Sequence, residues 1–286
     1  MSAVIGTNIR AQVTDENAAY FFAQVDGYTY QIDKAELKKP LKVGGQVTGF
    51  AYTNEDHQLQ ITKQVPKVQK DQFAWGKVVA SRHDLGIFVD IGLPNKDIAV
   101  SLDDLPTIKQ LWPQQGDRLM LALKEDRKGR LWGELAQSDI FAAVARRPQE
   151  REKGTSVTAT VYRNKMAGTL VLTDQYQLGF IHPSQRDDEP RLGEVLKTRV
   201  VGISDRGVLN LSTKPLAYKT MDEDAQFLLL QLQRRADHFL PFNDKSEPAA
   251  IKAQFGFSKS QFKRALGRLY KERLIEQVDD GIRLVQ

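Results

Sequence analysis

The chain has 286 residues, roughly the length of two average domains, and is 41% hydrophobic and 27% charged with 20 Gly and 11 Pro. This composition excludes a disordered or collagen-like chain, and the absence of Cys excludes disulfides, thiolate metal sites and a Cys nucleophile, as suits a reducing compartment. Lys and Arg number 41 against 36 Asp and Glu, so the net charge of +5 gives a mild preference for polyanionic partners.

Residues 1–10 lack the basic-then-apolar layout of a secretory leader, and the longest apolar cluster, residues 227–232, already contains Gln231. A cytoplasmic protein without a membrane partner is the expectation. Residues 1–66 form the first of three similar segments, with short alternating runs at Ala19–Phe22, Tyr30–Ile32, Gly45–Val47 and Leu59–Thr62. The second, residues 70–140, repeats the order at Trp75–Val79, Leu85–Ile91, Ile98–Ser101, Gly116–Leu119 and Gly129–Trp132. The third, residues 152–215, repeats it from Gly154 through Gly168–Leu172, Gly179–Ser184, Gly193–Leu196 and Gly207–Ser212.

Alternation with period two, broken by turn residues, predicts antiparallel strands. Gly45, Gly116 and Gly193 stand 71 and 77 residues apart, the length of one small closed barrel. Five strands in that length predict an OB barrel, with one face left open for oligonucleotides. The polar, Pro-broken segments 63–70 and 145–153 read as linkers.

Residues 218–286 change period. A helix is expected over residues 221–235, opened by a capping box at Thr220, Met221, Asp222 and Glu223, and a short second helix follows Ser246 with Pro248 in its first turn. A third runs from the capping box at Ser258–Gln261 to about Arg273. Two β-like runs then flank Asp279-Asp280-Gly281, a hairpin turn. Three helices and a hairpin describe a winged helix. The chain is therefore expected to be mainly β with a C-terminal α+β module: three tandem five-stranded OB barrels followed by a winged helix-turn-helix.

At 100° per residue the third helix sets Phe262, Ala265, Leu266 and Leu269 on one arc and Arg264, Arg268 and Lys271 opposite, with Lys259 and Lys263 on the flank. From Phe257 to Arg273 there are six basic residues and one acidic residue, a pattern suited to phosphate contact. By segment, net charge is −1 over residues 1–66, zero over 67–139, and +2 in each of 140–153, 154–217 and 218–286. The back half is the better candidate for binding phosphate.

Gly179-Phe180-Ile181-His182-Pro183-Ser184, with Gly193 and Leu209–Ser212 after it, resembles the S-one domain, an RNA-binding OB barrel; Gly86–Val89 and Gly129-Arg130 resemble it too. Three such barrels followed by a winged helix are similar to the bacterial conserved virulence factor B (CvfB) family. The resemblance implies a non-enzymatic post-transcriptional regulator that binds single-stranded RNA without a cofactor. It implies RNA contact at Phe88, Arg130 and His182 by position, alongside the aromatics Tyr20 and Phe22 of the first barrel and the basic helix residues Lys259, Lys263, Arg264, Arg268 and Lys271. This chain departs from the pattern at Leu85, Ser101, Leu170 and Val208, and its first barrel lacks the His element.

Strand alternation puts Tyr20 and Phe22 on one face and Phe21 on the other. Phe180 is assigned to the core, Trp75, Tyr162 and Tyr176 stay open, and His57, His83 and His238 are ordinary surface or packing residues. Several weak sites on one flexible chain reinforce one another by roughly 10²–10⁴ in affinity. The alternatives are a duplex-DNA regulator led by the winged helix and a protein-interaction scaffold. No nucleotide-binding loop, zinc-protease helix or nucleophile elbow is present, and the acidic groups Asp103-Asp104 and Asp187-Asp188-Glu189 read as solvated loops.

Overall fold

The computed structural model describes residues 3–82, 84–214 and 223–285. Strands β1 (Thr7–Glu16), β2 (Tyr20–Val25), β3 (Tyr28–Asp33), β4 (Gln46–Thr53) and β5 (Leu59–Thr62) close a barrel in the order β1-β2-β3-β5-β4. The second barrel repeats that order with β6 (Ala74–Arg82), β7 (Gly86–Asp90), β8 (Ile98–Val100), β9 (Arg118–Glu125) and β10 (Leu131–Leu135). After helix α1 (Ser138–Val144), the third is built from β11 (Ser156–Lys165), β12 (Gly168–Thr173), β13 (Leu178–Ile181), β14 (Val195–Ile203) and β15 (Leu209–Ser212). The expected antiparallel pairing holds except where each barrel closes: β3 with β5, β8 with β10 and β13 with β15 are parallel. Alternation alone does not separate the two pairings.

The first strand of each barrel has to pair with a neighbour on either side, and a β-bulge lets it bend to do so. The bulge falls at one equivalent place: the register of β1 with β2 shifts between Val13 and Asp15, of β6 with β7 between Val78 and Ala80, and of β11 with β12 between Val161 and Arg163. The valine before each bulge exchanges backbone hydrogen bonds with the turn that leads into the fourth strand, Val13 with Gly44 and Gly45, Val78 with Gly116 and Asp117, Val161 with Gly193 and Glu194. Gly44, Gly116 and Gly193 have φ of 84°, 97° and 83°, a left-handed backbone that a side chain would strain. In the first barrel the closing glycine is thus Gly44 and not Gly45, which the sequence spacing selected, one residue from the equivalent position.

The three barrels lie in one compact unit of residues 1–213. The segments expected to be flexible linkers are tied down, which corrects that reading. In residues 63–70, Val68 is buried, the Lys70 N–H donates to Gly6 O, and the Lys70 ammonium pairs with Glu125 at 2.6 Å. In residues 145–153, the Arg146 N–H donates to Tyr176 O and Glu152 accepts from the Gln177 amide.

Phe50 and Tyr52 of the first barrel are buried in one apolar cluster with the interior of the second. The Tyr52 hydroxyl donates to Asn95 Oδ1 at 2.6 Å. Between the second and third barrels, Met120, Phe141 and Leu172 are buried together, and the Arg191 guanidinium reaches both oxygens of buried Asp117 at 3.2 Å. Gln114 N–H donates to the same carboxylate at 2.7 Å.

Residues 214–286 form a second compact unit. It contains α2 (Glu223–Arg234), β16 (Phe239–Leu240), α3 (Pro248–Phe255), α4 (Lys259–Lys271), β17 (Ile275–Val278) and β18 (Gly281–Leu284), with sheet order β16-β18-β17. This is the expected winged helix. Its core includes Leu228, Leu232, Ile251, Phe255, Phe262, Leu266, Leu269 and Ile282. Both hydrogen bonds of the capping box at Ser258 and Gln261 are formed. The capping box expected at 220–223 lies outside the described residues, and α3 starts from Glu247 rather than Ser246, whose hydroxyl instead accepts from the Asn243 N–H.

Removing the Arg191 partner leaves the Asp117 carboxylate, which is only 6% exposed, without its counter-charge and held by the Gln114 N–H. Arg191→Ala should therefore lower the unfolding free energy by about 2–3 kcal/mol in urea melts, with the loss concentrated where the second and third barrels meet.

Candidate nucleic-acid interface

Because the bulges fix register, the outer faces of the barrels can be compared residue for residue. A transverse row crosses the first, second, third and fifth strands of each barrel. It reads Asp15, Phe22, Gln31, Gln60 in the first, Ala80, Phe88, Ala99, Trp132 in the second, and Arg163, Leu170, Phe180, Asn210 in the third. Phe22, Phe88, Trp132 and Phe180 are all half-buried, with one part of each ring on the barrel and the rest open. Every row therefore carries an aromatic: on the second strand in the first barrel, on the second and fifth in the second, and on the third in the third.

Tyr20 and Phe22 face outward and Phe21 is buried, as the alternation predicts. The first row is consumed at its far end, however. Gln60 is buried and its Oε1 accepts from Asn54 Nδ2 at 3.0 Å and from Asn95 Nδ2 of the second barrel at 3.2 Å.

In the second barrel, Arg82 lies 5.5 Å from the Phe88 ring centre and Arg130 5.4 Å from that of Trp132. Arg130 is not a free cation. It pairs with Asp126 at 2.7 Å, and Asp126 sits well below the usual carboxylate range, held there by the Arg130 backbone N–H and guanidinium, the Lys128 N–H and the Trp132 indole. Asp126, held by Arg130, thus positions Trp132 by accepting from its indole N–H at 3.1 Å, and Trp132 is not among the contacts expected from the sequence. Its signal was present: Trp132 follows the turn that the reading used to assign Arg130.

The expected core placement of Phe180 is incorrect. Gly179 and Ile181 take the inward positions of β13, and Phe180 points out. Gly168 makes this possible: its φ is 148° and a side chain there would come within 2.6 Å of the Phe180 ring. His182 is exposed, with its ring 6.5 Å from that of Phe180.

His182 also has a structural task. Its Nδ1 accepts from the Ser184 N–H at 3.2 Å and caps the short 3₁₀ turn that follows β13. Ser101 caps the equivalent turn of the second barrel through the Asp103 N–H, and Asp33 that of the first through the Ala35 N–H. The His element is therefore present in all three barrels as a capping position. Any short acceptor fills it, and only His182 also presents a ring edge.

On α4, Lys263, Arg264 and Lys271 are exposed and have no acidic partner among the described residues. Tyr270 is 60% exposed beside them. Arg268 departs from the uniformly cationic face: it is half-buried and pairs with Glu272 at 3.2 Å. Lys259 is half-buried at the first turn. The hairpin tip opposite carries Asp279 and Asp280, both exposed.

The chain matches known domain models along most of its length. Residues 5–64 match an S1 (S-one) domain, residues 73–134 the CvfB first S1-like domain, residues 141–215 the second domain of the virulence regulatory factor CvfB, and residues 226–284 a CvfB-like winged helix domain. Conserved virulence factor B from Staphylococcus aureus, in strains N315 and USA300, is 36% identical over 266 residues, covering 91% of this chain and 87% of the relative. The crystal structure of a multidomain protein with nucleic acid binding domains from Streptococcus pneumoniae is 44% identical, superposes with a TM-score of 0.73 and covers 98% of either chain.

Replacing His182 separates its tasks. His182→Ala should cost about 1 kcal/mol of stability in urea melts through the lost cap, and His182→Ser should restore it.

Proposed function

The chain belongs to the conserved virulence factor B family, and from that premise we propose that it binds single-stranded RNA in the cytoplasm as a non-enzymatic post-transcriptional regulator. The assembly of S1-like and winged-helix modules is that of a nucleic-acid-binding protein. The observation that carries the finer reading is the common register of the three outer rows, each with a half-open aromatic ring. Such rings stack on unpaired bases, each worth about 1–3 kcal/mol and tolerant of sequence. A duplex keeps its base faces stacked internally and offers them nothing.

The rows also differ in charge along the chain. The residue at the head of the row is Asp15 in the first barrel, Ala80 in the second and Arg163 in the third. This supports the third barrel as the main platform, with Phe180, Arg163 and His182 as its contacts. Phe88 and Trp132 serve the second barrel, and Tyr20 and Phe22 contribute least. Lys263, Arg264 and Lys271 supply phosphate contacts from the winged helix. The wing itself is poorly suited to duplex DNA, because Asp279 and Asp280 sit at its tip where phosphate would have to approach.

Fluorescence anisotropy with labelled single-stranded RNA, single-stranded DNA and duplex DNA at two salt concentrations tests this. RNA should bind most tightly, with affinity falling by about 0.7 logarithmic units per phosphate contact for each tenfold rise in salt. Phe180→Ala and Trp132→Ala should each weaken binding about 5- to 100-fold, and joint Glu replacement of Lys263, Arg264 and Lys271 should also flatten the salt slope. Preference for the duplex, unmoved by the aromatic replacements, would favour a DNA regulator led by the winged helix. Absence of salt-dependent binding to all three nucleic acids would overturn both readings.

A further inference from the structure

Between the second and third barrels lies a cleft of about 290 Å³. One wall is Trp75, Arg118 and Met120 on β6 and β9, and the other is Tyr162, Arg163 and Asn164 on β11, with Phe141 of α1 also lining it. Such a volume stands at the lower end of the range for ligand sites and suits one small planar molecule.

Its lining is unusual for a simple docking seam. Tyr162 is the extra residue of the β11 bulge, the position at which a strand turns a side chain away from the regular alternation. There it stacks on Phe141 with ring centres 3.9 Å apart, and Phe141 is in turn 6.2 Å from Trp75. These rings form a continuous aromatic run along the cleft. On the same wall as Tyr162, Asn164 Oδ1 is buried without a hydrogen-bond partner among the described residues.

Positive charge is gathered at the same place. The Arg118 guanidinium lies 5.0 Å from the Trp75 ring centre and is balanced by Asp174 at 2.9 Å. Exposed Arg163 makes a single 3.3 Å hydrogen bond, to the Ser138 hydroxyl. The acid at the edge is Asp104, whose carboxyl is pushed up from its ordinary value by partial burial, then by Asp103 and Glu134.

From this geometry we propose that the cleft binds a single nucleotide, with its base against Trp75 and Tyr162, which buried Phe141 backs, and its phosphate toward Arg163. Arg163 also heads the outer row of the third barrel, so the cleft opens where that row ends. The nucleotide has two possible sources: a free mononucleotide, or one residue unstacked from a strand lying on the row. The second source rests on the RNA-binding reading above; the first does not.

The test uses the full chain. Titration calorimetry measures AMP, GMP, CMP and UMP, anisotropy measures a single-stranded octaribonucleotide, and photocrosslinking with 4-thiouridine in the octamer locates the contact by peptide mass. Gln137 is exposed at the cleft, so Gln137→Trp fills the space from a surface position, while Arg163→Gln removes the charge. Unchanged thermal unfolding checks that each variant is folded.

Mononucleotide binding at one site, weakened about tenfold or more in both variants, supports the proposal with a free ligand as source. Octamer binding without mononucleotide binding, with the same loss in both variants and crosslinks on the peptides of Trp75 or Tyr162, supports it with the strand as source. Octamer binding that Gln137→Trp leaves unchanged, with no mononucleotide binding, overturns the cleft and leaves the RNA-binding reading standing, since Arg163→Gln also removes a contact of the row. Mononucleotide binding that the variants abolish, with no octamer binding, overturns the RNA-binding reading and keeps the cleft. Binding of neither ligand overturns both.

Discussion

What the barrels present to solvent depends on how each of them closes. A five-stranded sheet this short can close only if its first strand changes direction midway, and the bulges after Val13, Val78 and Val161 supply that change. The left-handed glycine turns at Gly44, Gly116 and Gly193 then latch onto the same valines. One consequence is register. With the bulge fixed, every later pairing is fixed, and each barrel must present the same transverse row to solvent. A second consequence is the bulge residue itself, which belongs to neither face and is available for another task, as Tyr162 shows.

Closure also determines what the barrels have left to offer. The first barrel gives Phe50, Tyr52 and Gln60 to the contact with the second, so its outer row is partly covered. The third keeps its row open and heads it with an arginine. Because the barrels form one compact unit, their outer rows belong to one body rather than to modules on a flexible tether, so several contacts to one strand would gain from preorganisation. The cost of ordering them is met when the chain folds and need not be met again at binding.

Much of this was legible in the sequence, for physical reasons. Glycine spacing revealed the repeat because the left-handed turn tolerates little else, and the alternation of Tyr20, Phe21 and Phe22 gave their faces directly. The capping box at Ser258 and the arc of Phe262, Ala265, Leu266 and Leu269 defined α4 because helix ends and helix faces are local. Long-range consequences were harder to see. Phe180 read as core because its neighbours Gly179 and Ile181 are also nonpolar, and only the close fit of Gly179 against Leu211 and Val171 shows which residue points inward. The polar segments 63–70 and 145–153 looked like free linkers because the buried Val68 and the backbone bonds of Lys70 and Arg146 depend on partners distant in sequence.

Charge shows the same limit in its sharpest form. Counting basic residues treats Arg130, Arg191 and Arg268 as equal to Arg163 and Arg264. Arg130 is committed to Asp126, Arg191 to Asp117 and Arg268 to Glu272, and each mainly holds the protein's own structure in place. A cation already paired must lose that partner before it can gain from a phosphate, so its net contribution to binding is small. The charge that matters for a ligand is what the fold leaves over. On that accounting Lys263, Arg264 and Lys271 of α4 stand out in one compact unit and Arg163 in the other, and Arg163 stands beside the aromatic residues that would hold a base.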